Sequence, residues 1–184
     1  MAAKIAFVGS HGVRKTTAAF SLAAALRHRG VASEVLHEVA RGNPLGLNEA
    51  ATAEAQLWIL LTQVRRELEL APTTDVLVAD RSIVDNYAYA LRAWGGGDRF
   101  AIEPFVAEWA GTYDLLVRLL PDVPLEPDGI RSLDPDFQAE IEAFVDRLLP
   151  AFVAADRLRV LPASAIQAGV DWSAVVDALG LPAR

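Results

Sequence analysis

Three groups of residues have the types and spacing for phosphate chemistry. The first is Gly9-Ser10-His11-Gly12-Val13-Arg14-Lys15-Thr16-Thr17. It follows an apolar run, Lys4–Gly9, and precedes an alanine-rich stretch from Lys15 to Arg29. A glycine turn between a strand and a helix aims backbone N–H groups and the helix N-terminus at an anion. A lysine followed by Ser/Thr adds a cation for the phosphates and a hydroxyl for Mg²⁺, the logic of the G-x-x-x-x-G-K-[ST] pattern. The alternative is an ordinary glycine turn with a solvated Lys15, and the strand–turn–helix context argues against it. His11, at a variable position of the loop, reads as a bystander to the chemistry.

Arg14 departs from the pattern, which has glycine before the lysine. Position 14 opens the following helix, so ordinary helical backbone angles are expected there. The side chain then either projects away or turns back to a phosphate. An adapted, a weakened and an inactive loop all remain open.

The second group is Asp80-Arg81-Ser82, directly after the apolar run Asp75–Ala79. A carboxylate at the C-terminal end of a strand beside the loop is placed to hold Mg²⁺, and ligands of open parallel sheets gather at such ends. Arg81 can pair with a phosphate. Against this, the pair could simply be solvated ahead of a helix capped by Ser82. The third group is Glu38 and Arg41 in EVAR. Glu38 could take a proton from an acceptor hydroxyl, and Arg41 could hold an acceptor phosphate, or the two form a surface ion pair. Arg131, in the Asp128-Gly129-Ile130-Arg131 stretch, is a candidate lid arginine that stabilises transferred phosphate. A plain Asp-Gly turn is the competing reading.

The elements that position these groups alternate between strand and helix. Strands are expected at 4–9, 33–40, 75–79, 114–120 and 157–163. Helices are expected at 15–29, 48–70, 84–94, 105–110, from Asp134-Pro135 to about Phe152, and 172–179. Alternation implies a parallel sheet covered on both faces. Residues 121–135, rich in proline and aspartate, read as a lid loop. No polar linker divides the 184 residues, so one domain over 1–184 is expected. Trp58, Tyr87, Tyr89 and Trp94 could stack on a ring, though their helical spacing favours the core.

Composition narrows the function classes. The net charge of −7 disfavours an extended nucleic-acid surface. No apolar run approaches the ~20 residues of a membrane span, and no signal peptide is evident. The absence of cysteine excludes disulfides and fits a cytoplasmic setting. A homodimer is compatible with the sequence.

Taken together, GSHGV-KTT, EVAR, DRS and YDLLVRLLPDVP leading to DGIR resemble the small P-loop kinases, in the nucleoside, nucleotide and ribosylnicotinamide kinase branch with its associated ATPases. The resemblance runs roughly from Lys4 to Leu161. It implies a three-layer α/β sandwich with a five-stranded parallel sheet in the order 2-3-1-4-5. It implies an enzyme that binds ATP and Mg²⁺ and passes the γ-phosphoryl group to a small, nucleoside- or nucleotide-like acceptor. By the resemblance, Gly9–Thr17 cradle the nucleotide, Thr16 and Asp80 serve the metal, and Glu38, Arg41 and Arg81 face the acceptor. Lys15, Glu38, Asp80, Arg81 and Arg131 then carry catalysis. A degenerate nucleotide-binding module and a simple NTPase are the alternatives. The lack of an N-K-x-D-like tetrapeptide leans toward ATP over GTP.

Overall fold

The computed structural model describes residues 2–46, 51–127 and 132–179. Five strands, β1 (Ala3–Val8), β2 (Ser33–Leu36), β3 (Val76–Ala79), β4 (Leu115–Leu120) and β5 (Leu158–Pro162), form one sheet in the order β2-β3-β1-β4-β5. Every pairing is parallel. The helices are α1 (Lys15–His28), α2 (Ala53–Leu70), α3 (Ile83–Ala93), α4 (Glu103–Ala110), α5 (Pro135–Phe152), α6 (Ala163–Ala168) and α7 (Ser173–Ala178).

Strand residues point alternately to the two faces, and each face must be covered. Ile5 and Phe7 of β1 pack with Leu22 and Leu26 of α1, Ile166 of α6 and Trp172 beside α7. Ala6 and Val8 pack instead with Leu60 of α2, Ile83 and Tyr87 of α3, and Ile141 and Val145 of α5. These are two cores on opposite sides of one sheet, hence three layers. Burial of the four residues of β3 on both faces explains why its sequence shows no polar alternation.

Local chemistry sets several helix starts. Thr52 caps α2 by accepting from the Ala55 amide at 3.1 Å. Asp134 accepts from the Asp136 amide at 2.9 Å, with Pro135 at the first position of α5. Ser82 and Asp85 cap α3 reciprocally.

Four expectations change. The second helix begins at Ala53, after its cap Thr52, and not at residue 48. The second strand ends at Leu36, not at residue 40, and Val39–Gly42 form a 3₁₀ turn. Its neighbour β3 ends at Ala79, and the Asp80 amide bonds the Leu36 carbonyl as the last rung, so among the described residues no ladder continues beyond it. The fifth strand stops at Pro162, and α6, not anticipated, begins at Ala163. Asp122 pins that start by accepting from the Ser164 amide at 2.8 Å. Arg14 is not helical. Its φ of 63° and ψ of 27° are left-handed, so the usual glycine at this position answers a conformational demand that Arg14 meets under strain. No helix of the described residues is long and apolar enough to cross a membrane.

Candidate functional site

The register of the central strands brings the sequence groups together. Ala6 of β1 pairs with Ala79 of β3, and Leu36 of β2 pairs with Ala79 from the other side. The chain leaving each strand therefore emerges on one edge, with Gly9–Thr16, Asp80-Arg81 and Glu38 side by side.

Gly9 and Gly12 shape the loop. A Cβ on Gly9 would lie 2.8 Å from the Leu119 carbonyl oxygen, and one on Gly12 would lie 2.5 Å from Leu125 Cδ2. The Lys15 ammonium folds back under the loop, donating to the Gly9 carbonyl at 3.0 Å and also to the Ser10 carbonyl. Lys15 is 5% exposed. Burial, reinforced by the neighbouring Arg81 cation, lowers its pKa from 10.5 to about 7. Thr16 donates its hydroxyl to Asp80 Oδ2 at 2.6 Å. Burial raises the Asp80 pKa, with that hydrogen bond opposing the shift.

Arg81 and Glu38 form the second half of the site. Arg81 Nε donates to Glu38 Oε1 at 2.7 Å, and Nη1 lies 3.3 Å from Asp85 Oδ2. The guanidinium lies 4.9 Å from the centre of the Tyr89 ring. Burial works against the Arg81 cation, but Glu38, Tyr89 and Asp85 together outweigh it and the pKa is raised. Arg41 Nε donates to the other oxygen of Glu38 at 3.3 Å. Arg41 is exposed and Glu38 largely covered, so the pair is no free surface contact.

Other loop residues divide by where their side chains go. Val13 packs in the α1-side core. Ser10 is buried, and Thr17 is exposed. His11 is held between α3 and α5, with Nδ1 3.1 Å from the Tyr89 hydroxyl and its ring stacked on Phe137 at 5.2 Å. Arg14 pairs with Glu126 Oε1 at 3.3 Å. Arg131, with Asp128-Gly129-Ile130, lies outside the described residues. The part of the loop after β4 that is described reaches the phosphate loop, since Leu125 meets Gly12 and Glu126 meets Arg14.

Among the aromatic candidates, Tyr87 is fully buried in the core, and Trp94 packs there and donates to the Ala53 carbonyl at 3.2 Å. Trp58 is half-buried, and Tyr89 alone of the four stands against Arg81. Two residues that sequence reasoning passed over also touch the loop. Glu142 of α5 accepts from the Ser10 amide at 2.8 Å, and Arg118 of β4 pairs with Glu142. A lone arginine inside the apolar run LLVRLL was the available signal.

Among the described residues no three His, Cys, Asp or Glu side chains gather as a metal site. The Thr16 hydroxyl and the Asp80 carboxylate are nonetheless hard oxygen donors side by side. That is the sparse protein contribution suited to Mg²⁺, which completes its shell with phosphates and water.

The sheet order, the loop on the central strand and the aspartate closing its neighbour define the P-loop NTPase fold with kinase-like topology. The chain belongs to the AAA domain family, whose model matches residues 4–158. No curated protein matches it by sequence. Among solved structures it is similar to NadR protein in complex with NR, at a TM-score of 0.71 and 16% identity, over 100% of this chain and 53% of that one. It is also similar to NadR protein in complex with NAD and AMP-PNP, at a TM-score of 0.66 and 16% identity, over 100% of this chain and 51% of that one. The chain thus spans about half the length of these NadR chains, and at this identity the likeness is one of fold.

Proposed function

We propose that the chain is an ATP-dependent phosphotransferase acting on a small hydroxyl-bearing acceptor of nucleoside or nucleotide type. The observation that carries this reading is the Thr16–Asp80 contact at 2.6 Å, on the edge where Lys15, Glu38 and Arg81 also converge. The NadR folds in complex with NR, and with NAD and AMP-PNP, support a nucleotide-binding site on this topology.

In this reading the backbone of Gly9–Thr16 and the start of α1 receive the phosphates. Lys15 leaves the Gly9 and Ser10 carbonyls for the β/γ-phosphates, where a full positive charge is favoured. Thr16 and Asp80 would hold Mg²⁺, which would supply neutralisation of charge on the phosphoryl group. Glu38 faces the acceptor hydroxyl and takes its proton, and Arg81 fixes the Glu38 carboxylate through their 2.7 Å bond. Arg41 and Arg131 supply further cations, from the acceptor side and from the loop after β4.

The left-handed Arg14, paired with Glu126, favours a second reading: a weakly active or non-catalytic nucleotide-binding module. A thermal-shift panel of ATP, ADP and GTP with Mg²⁺, followed by acceptor-dependent ATP consumption, separates the two. Ligand binding to the native state raises the midpoint by mass action. Stabilisation by ATP with acceptor-dependent turnover supports the kinase. Stabilisation without turnover supports the module, and turnover indifferent to any acceptor leaves an NTPase.

A further inference from the structure

The first peptide of the phosphate loop is gripped from two sides. On the inner side, Lys15 donates to the Gly9 and Ser10 carbonyls. On the outer side, the Ser10 amide donates to Glu142 Oε1 at 2.8 Å, across 132 residues of sequence. One turn earlier on α5, Gln138 donates to the His11 carbonyl at 2.8 Å. Gln138, Glu142 and Asp146 are spaced four residues apart and so share one face of the helix.

Behind Glu142 stands Arg118. It occupies β4 beside Val8, the last residue before the loop, and is buried. Its guanidinium pairs with Glu142 Oε2, lies 3.0 Å from Asp146 Oδ1 and donates to the Leu119 carbonyl at 3.0 Å. A Cβ on Gly9 would lie 3.0 Å from Arg118 Nη1, so the loop rests on this group. A buried charge is costly, and a pair of hydrophobic residues would often stabilise the core as well or better. The arrangement therefore spends stability on geometry at the mouth of the loop.

We propose that Glu142 is a positioning residue for the phosphate loop: it anchors the Ser10 amide, with Arg118 orienting its carboxylate, so that the cradle from Gly12 to Thr16 is held open before nucleotide arrives. This rests on the nucleotide-binding reading of the loop. With Ser10 tethered to α5 and His11 to Gln138, the first half of the loop is fixed to the sheet's other layer. The second half, whose amides open α1, then keeps its orientation without a ligand. The Gly9 and Ser10 carbonyls stay turned toward Lys15, which parks the lysine beside the cradle instead of across it.

The test compares Glu142→Ala with Glu142→Gln. Glutamine keeps an oxygen to accept the Ser10 N–H and loses only charge. Mg·ADP titration by calorimetry is expected to show binding about tenfold weaker in Glu142→Ala, the loss of one charge-assisted hydrogen bond, and within about threefold of wild type in Glu142→Gln. Amide exchange by NMR in the nucleotide-free protein gives the independent readout. Ser10 exchanges faster in Glu142→Ala, stays protected in Glu142→Gln, and the β1 amides are unchanged in both. If Glu142→Ala fails to fold because Arg118 loses its buried carboxylate partner, the double variant Arg118→Met/Glu142→Ala removes the buried cation, and fast Ser10 exchange is expected there too. Unchanged Ser10 exchange in Glu142→Ala, or in Arg118→Met/Glu142→Ala where the single variant does not fold, overturns the proposal, as does equal weakening of Mg·ADP binding by alanine and glutamine. A wild-type protein that binds no Mg·ADP refutes the nucleotide reading instead, and the exchange experiment still decides whether Glu142 anchors the loop.

Discussion

The hydroxyl of Thr16 and the carboxylate of Asp80 meet at 2.6 Å although 64 residues separate them. One opens α1 after β1, the other closes β3, and the parallel register of the two strands makes them neighbours. The contact couples the loop to the aspartate before any metal enters. Asp80→Asn keeps an oxygen for Thr16 and removes the charge. Because burial raises the Asp80 pKa, the ionised carboxylate is a burden on the fold, so the thermal midpoint is expected to hold or rise. Turnover is expected to fall roughly 10- to 100-fold, as for groups that orient a metal. A variant as active as wild type in a steady-state assay would remove Asp80 from the metal site.

Lys15→Ala is expected to abolish nucleotide binding in calorimetry while circular dichroism shows an intact fold. The Lys15 ammonium bonds only to carbonyls of its own loop among the contacts described, so the sheet does not depend on it. Wild-type affinity in this variant would end the phosphate-loop reading.

The lowered pKa of Lys15 makes two pH predictions. In the folded, unliganded protein it titrates near about 7, against 10.5 when unfolded. Between these values the unfolded chain holds the extra proton, so stability rises with pH across that window, and below about pH 7 the full cost of the buried charge remains. Wild type is therefore expected to gain stability relative to Lys15→Ala when denaturant melts are moved from about pH 6 to about pH 9. Phosphate restores the cation, so nucleotide binding at about pH 8 should take up close to one proton, read from calorimetry in buffers of different ionisation enthalpy. Zero uptake at that pH would contradict a buried, neutral Lys15.

Arg14→Gly is expected to stabilise the protein by about 1 kcal/mol, because glycine adopts the left-handed backbone without the Cβ clash. The ion pair lost with Glu126 is exposed on the glutamate side and contributes little. Nucleotide affinity is expected to rise as well, by tenfold for about each 1.4 kcal/mol of improved fit. Weaker binding of the triphosphate, most marked at low salt, would show instead that Arg14 is a phosphate ligand.

Glu38→Gln is expected to lower kcat for the acceptor reaction while nucleotide affinity stays within about threefold, since a general base contributes to the chemical step and not to phosphate binding. Equal losses in kcat and nucleotide affinity would mean that Glu38 serves only to hold Arg81 and Arg41.

Much of the fold was legible because parallel sheets write their burial into sequence. KIAFVG and DVLVA are continuous apolar runs, and each is followed at once by its chemistry, Gly9–Thr16 or Asp80-Arg81. Asp134-Pro135 announced α5 through capping. Less was readable where a partner sets the boundary. The end of β2 at Leu36 depends on where β3 stops, and α6 begins where Asp122, from the loop after β4, captures the Ser164 amide.

The sequence by itself determined the local devices: a strand–turn–helix with Lys15 and Thr16, an aspartate after the third strand, and a glutamate near the end of the second. Such features depend on neighbours a few residues away, whose turn and capping preferences are encoded locally. Only the tertiary structure decided the left-handed backbone of Arg14, the meeting of Thr16 with Asp80 and the seating of Ser10 on Glu142. Arg14 takes its angles from a loop closed at both ends by packed elements, whatever residue stands there. The Glu142 contact spans 132 residues, and nothing in the local sequence of either partner specifies the other. Strand order and helix packing bring them within hydrogen-bond reach, and burial then makes each contact costly to leave unmade.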